Sequence, residues 1–164
     1  MKRTTTSGLS GTNTLVQVST ASVDITPKGE VPLGAGYYDA PEWSVHSRPE
    51  LNMLAIWMEE NPPLVLVTVD ALYAGAKLRA VIEEGLDGVP PENIVVAASH
   101  THAAPMLDDT KPKLGSPDPA HLEYVLERAR EGIQELLGPG NRVDAQVFAG
   151  RSRADHSVNR RQIK

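Results

Sequence analysis

The chain has 164 residues, with 16 lysines and arginines against 21 aspartates and glutamates, so its formal charge is −5. That length suits one domain, and 40% hydrophobic with 23% charged residues lies near the globular average, which excludes wholesale disorder and a coiled coil. An acidic balance without a sustained basic stripe also argues against a nucleic-acid partner or an anionic membrane surface, because both need clustered Lys and Arg to displace counterions.

The start, Met1-Lys2-Arg3, is basic, but the Ser/Thr/Gly-rich stretch from Thr4 to Thr14 has no apolar core, so it does not read as a signal peptide. Residues 1–14 are expected to be a flexible tail. From Leu15 to Val23, Val16, Val18 and Val23 sit among Thr and Ser and predict a strand that closes at Asp24-Ile25-Thr26-Pro27. Residues 27–49 form a long loop with seven prolines and glycines, together with Tyr37, Tyr38, Trp43 and His46. A loop of that length carrying aromatics reads as a binding loop. Leu51–Met58 and Leu64–Val69 then predict two strands around the Glu59-Glu60-Asn61-Pro62-Pro63 turn, short enough for an antiparallel hairpin. The second is almost wholly apolar and is expected to be buried on both faces.

After Asp70, the spacing of Leu78, Val81, Ile82 and Leu86 predicts a helix between Ala74 and Leu86, stopped by Gly88-Val89-Pro90-Pro91. Asn93–Ala98 reads as a further buried strand, so the order is that of a βαβ crossover joining parallel neighbours. A long helix follows, with Asp118 as its cap, Pro119 at its first position and an apolar stripe from Leu122 to Leu137. Gly138-Pro139-Gly140 ends it, and the alternation of Val143, Ala145, Val147 and Ala149 predicts a last strand. The result is an α/β fold, a mixed sheet with at least one parallel crossover flanked by helices. No run approaches the roughly 18 apolar residues that a membrane span requires. Arg151, Arg153, Arg160, Arg161 and Lys164 gather in a polar ending without a closing element. A solvated end explains the charges, and such an ending suggests the front part of a longer protein, an incomplete domain.

The sharpest chemical signal is Ser99-His100-Thr101-His102-Ala103-Ala104-Pro105, directly after a buried strand. In extended backbone, residues i and i+2 face the same side, so His100 and His102 are expected to converge on one point. Imidazole is a common zinc ligand, and ligands of βαβ sheets bind beyond the carboxyl ends of the strands. Asp70 ends the neighbouring strand and belongs to the same edge, either as a site carboxylate or as a cap of the next helix. Catalytic zinc has three protein ligands as a rule, and His46 and His156 are the further candidates within the chain. His121, in the first turn of an amphipathic helix, is expected at the surface and is set aside. The absence of cysteine excludes thiolate zinc sites, disulfides and cysteine nucleophiles. No Walker lysine or Gly-x-Ser-x-Gly elbow is present.

Taken in order, Val23-Asp24-Ile25-Thr26-Pro27, Gly34-Ala35-Gly36-Tyr37, the Leu64–Asp70 strand, Ser99-His100-Thr101-His102-Ala103-Ala104-Pro105 and Val158-Asn159-Arg160-Arg161 resemble the N-terminal part of the neutral/alkaline non-lysosomal ceramidase family. The resemblance runs over residues 17–164, and its most specific piece is His-Thr-His-x-x-Pro following Asp-Ile-Thr-Pro. It implies that residues 15–164 are the N-terminal segment of a ceramidase-like hydrolase domain, a zinc-dependent amidase that cleaves the N-acyl bond of a ceramide-like lipid. It further implies that His100 ligates zinc, that His102 is catalytic and helps to stabilise the oxyanion, and that the remaining ligands, a His, a Glu and a Tyr, follow Lys164. Where the family reads His-Thr-His-Ser-Gly-Pro-Gly-Gly, this chain has Ala103, Ala104, Met106 and Leu107 around Pro105. Two other readings use the same residues: a non-catalytic module that binds a small molecule or partner through the aromatic loop 36–46, and a phosphoesterase with two metals about 3.5–4 Å apart.

Overall fold

The computed structural model describes residues 15–36, 44–148 and 150–153. It consists of β1 (Leu15–Asp24), β2 (Glu50–Trp57), β3 (Leu64–Val69), α1 (Ala76–Gly85), β4 (Ile94–Ala98), α2 (Pro119–Leu136) and β5 (Val143–Gln146). Short 3-10 turns lie at Gly34–Gly36, Pro91–Asn93 and Pro112–Leu114. The five strands form one mixed sheet in the order β4-β3-β2-β1-β5. β2 and β3 make the expected antiparallel hairpin, pairing from Leu51 opposite Val69 to Ile56 opposite Leu64. The chain then crosses through α1 and returns as β4, parallel to β3 from Val65 opposite Ile94 to Val69 opposite Ala98. β1 lies antiparallel to β2, and β5 closes the far edge antiparallel to β1.

Both helices cover the same face of this sheet. Residues that pair across the sheet share a face, and Val23, Leu51, Met53, Ala55, Val65, Val67, Val69 and Ile94 form a buried row across four strands. Leu78 and Ile82 of α1 join it in one core with Val125, Ala129, Ile133 and Leu136 of α2. The fit depends on missing side chains. A Cβ on Gly85 would stand 2.8 Å from Ile133 Cδ1, and one on Gly132 would stand 3.2 Å from Met53 Cε, so each glycine lets α2 come close to its neighbour. α2 is terminated on both sides as its residues suggest. Asp118 Oδ1 accepts the His121 N–H at 2.8 Å, and the buried Ser19 hydroxyl donates to the Leu136 carbonyl at 2.7 Å.

Several expectations need correction. β3 is not buried on both faces: Val65, Val67 and Val69 are buried, whereas Leu64 and Leu66 are half-buried and Thr68 is exposed. β4 is an edge strand, with Val95 46% exposed and Ala97 exposed. The reason is common to both, since the helices shield one face only. Helix α1 starts at Ala76 rather than Ala74, after Gly75 at φ 75°. β5 ends at Gln146, and Val147 and Phe148 beyond it are exposed. Among the described residues no helix is long and apolar enough to cross a membrane. The expected tail 1–14, the loop aromatics Tyr37, Tyr38 and Trp43, and His156 lie outside the described residues.

Candidate functional site

The site is built where the parallel pair ends. The Ser99 N–H donates to the Val69 carbonyl at 3.0 Å, which ties the exit of β4 to the exit of β3. One residue later the backbone turns left-handed, His100 having φ 59°. Histidine is among the few non-glycine residues enriched in that region, and such positions cluster at functional sites. The turn places the His100 ring edge-on to His102, with centroids 5.4 Å apart at 88°, and edge-on to Tyr73 at 5.3 Å and 71°. Both histidines are exposed. The two rings therefore do come together, though not by the expected alternation of an extended strand: β4 stops at Ala98, and a left-handed turn brings them into contact.

The orientation of His100 has a specific cause. Its Nδ1 lies 2.9 Å from the Leu72 carbonyl oxygen, and a carbonyl can only accept, so Nδ1 carries the hydrogen. In the neutral ring the lone pair is then on Nε2, which is how metal-ligating histidines are commonly held. Leu72 is itself fixed, buried to 1% exposure. The segment after the histidines is latched as well. Thr101 Oγ1 accepts the Ala103 N–H at 3.2 Å, the Gly34 N–H donates to the Ala104 carbonyl at 3.3 Å, and Leu33 bridges to Pro105. Met106 and Leu107 are buried in the core, so residues that replace flexible glycines anchor this loop.

Beside the histidines stands a charged group that sequence reasoning missed. Lys111 Nζ lies 4.5 Å from the centroid of the Tyr73 ring and 2.7 Å from Asp108 Oδ2. Asp108 is 4% exposed and also accepts from the Thr110 N–H at 2.8 Å and hydroxyl at 2.6 Å. Burial alone raises its pKa, but the bonds from Lys111 and Thr110 outweigh that and hold the carboxyl below the ordinary range. The only hint in the sequence was the tyrosine three residues after a strand-ending aspartate.

The other expected residues fall elsewhere. Asp70 follows β3 at the same end of the sheet, but its carboxylate accepts the Glu50 N–H at 3.1 Å and closes the β2–β3 corner. It does not cap the next helix, whose N-cap is Gly75. His46 is exposed in a bend before β2. His121, expected at the surface, is only 6% exposed, because the chain that follows β1 packs beside the first turn of α2. Among the described residues no three His, Cys, Asp or Glu side chains are grouped so as to hold a metal ion. His100 and His102 thus form a pair.

No protein-family model matches the sequence, and no curated protein matches it. Solved structures do. The neutral ceramidase from Pseudomonas aeruginosa superposes with a TM-score of 0.60 at 19% identity, covering 74% of this chain and 21% of that chain. A ceramidase complexed with C2 superposes with a TM-score of 0.56 at 20% identity, with the same two coverages. The mixed sheet with its one parallel pair and two helices on one face is thus a ceramidase-like fold, in a chain that matches 21% of the length of those neighbours.

Proposed function

We propose that the protein takes part in zinc-dependent hydrolysis of an amide bond, with a ceramide-like N-acyl lipid as the substrate class. The observation that carries this reading is the His100 hydrogen bond to Leu72, which leaves Nε2 available to a cation at the carboxyl edge of the parallel strands. The likeness of the fold to two ceramidases and the order of the His-Thr-His-x-x-Pro segment support the substrate class.

On this reading His100 is a zinc ligand through Nε2. Zinc, when bound, supplies a Lewis acid for the amide carbonyl and lowers the pKa of water towards about 7. His102, whose ring is in contact with that of His100, has on this reading the role of donating an N–H to the oxygen on which charge develops. Removing one such donor typically costs about 10²–10³ in kcat. Tyr73 and the Leu72 carbonyl hold His100 from two sides, so less of its freedom is lost when it engages a ligand. Met106 and Leu107 hold the backbone after Pro105 against the core.

Zinc content and amidase turnover of the purified full-length protein test this together. His100→Ala is expected to remove both zinc and turnover. His102→Ala is expected to keep zinc and lose about 10²–10³ in kcat. Undiminished zinc in the first variant would overturn the reading.

A further inference from the structure

A separate groove of about 670 Å3 runs along the first turns of α2 and shares no lining residue with the histidine pair. One wall is the segment after β1, with Lys28 and Glu30, and the other is α2, with His121, Tyr124 and Glu127. His121 is the unusual member. It is only 6% exposed, yet neither ring nitrogen has a hydrogen-bond partner among the described residues, and the Tyr124 ring lies 6.2 Å away, tilted against it. Its nitrogens are not sealed in, since among the described residues the one fully enclosed side-chain atom without a partner is Thr26 Oγ1. A ring held by the core, with a nitrogen that no group among the described residues occupies, can accept a hydrogen bond from a ligand that enters the groove His121 lines.

The rim selects the sign of what would meet it. Glu30 and Glu127 have no ion-pair partner among the described residues, and Glu123 stands 3.7 Å from Arg130. Asp118, at the groove's end, already caps the helix, which blocks the N-terminus as an anion site. Burial, opposed by the charge of Asp118, lowers the His121 pKa and favours the neutral ring, which can accept a hydrogen bond. The Tyr124 face is suited to a cation, because Lys28 already holds its ammonium 4.6 Å from the ring centroid. The Tyr124 hydroxyl donates to the Asp24 carbonyl at 3.3 Å, which fixes the ring. No group of three metal-holding side chains occurs among the described residues, and an organic ammonium needs none, since hydrogen bonds and a ring face can hold it. We propose that this groove binds an ammonium ligand, a diamine or polyamine, whose N–H donates to His121 while its charge is met by Glu30, Glu127 and the face of Tyr124 in place of Lys28.

Titration of the protein with spermidine, followed by NMR at the His121 and Tyr124 rings, tests this, with magnesium at matched ionic strength as the control. Saturable shifts with spermidine alone are expected. Glu127→Gln, on the exposed rim, is expected to weaken binding about fivefold. Lys28→Gln, which removes the internal competitor, is expected to tighten it about threefold. His121→Phe is expected to abolish it. Shifts that fail to saturate, that magnesium reproduces, or that are indifferent to Glu127→Gln and Lys28→Gln would overturn the proposal.

Discussion

Asp108, Lys111, Tyr73 and His100 form a chain of contacts in which each side chain limits the next. Asp108 pairs with Lys111, whose ammonium sits on Tyr73, and the Tyr73 ring bears edge-on on His100. Because the folded-state pKa of Asp108 is depressed, its stabilising contribution is fully present above the unfolded carboxyl value of about 3.9 and is lost as pH falls through the lower folded value. Asp108→Asn is therefore expected to lower stability at neutral pH and to flatten the fall in the urea midpoint between neutral and acid pH. An unchanged acid dependence would show that this carboxylate is not held as described. At this scale the two histidines were legible from spacing, but their geometry was not. It depends on a left-handed turn at His100 and on a carbonyl 28 residues earlier, and neither leaves a pattern in a sequence. His121 was misjudged for a related reason, since helix periodicity places a residue on a face without saying which loop covers that face.

The elements were more legible because their signals are local. Asp118 and Pro119 start α2 as their chemistry dictates, and Asp118→Ala is expected to cost about 1 kcal/mol, seen as a fall of about 2–4 °C in Tm. The start of α1 carries a constraint that no local signal announces. Gly75 has φ 75° and ψ 154°, a region open essentially to glycine, and a Cβ there would lie 2.5 Å from the Leu107 carbonyl oxygen. Ala at this position is expected to cost about 1–3 kcal/mol from the backbone alone, with the clash in addition. The damage should reach the site, because Leu107 adjoins Asp108 and Gly75 follows Tyr73 by two residues. A urea midpoint for Gly75→Ala equal to that of the parent would contradict the close approach. The two apolar strands were misread at this scale. An apolar run shows that both faces of a strand are apolar, and whether both are covered depends on how many helices the chain supplies and on which side.

For the whole molecule, that uncovered side has consequences. Cross-strand pairing puts Val18, Leu54, Ile56, Leu64, Leu66, Val95 and Val143 on the face away from α1 and α2. Val95 and Val143 are exposed, and the other five are half-buried. They continue across all five strands as an apolar face that is only partly covered, Val16 on the same face being buried. The β4 edge beside it, which carries Val95, has no strand partner on its outer side among the described residues. The 164-residue chain is therefore expected to bind a hydrophobic dye in its native state and to associate with rising concentration. Leu54→Thr combined with Leu66→Thr should reduce both while leaving the helix signal intact, because these side chains touch neither helix and threonine suits a strand. The converse pair on the inner face, Met53→Thr with Val67→Thr, should instead unfold the chain, since both side chains are buried in the core that the helices cover. Equal loss of helix from the two double variants would mean that the outer face is as structural as the inner one, and the one-sided packing described for this sheet would be wrong.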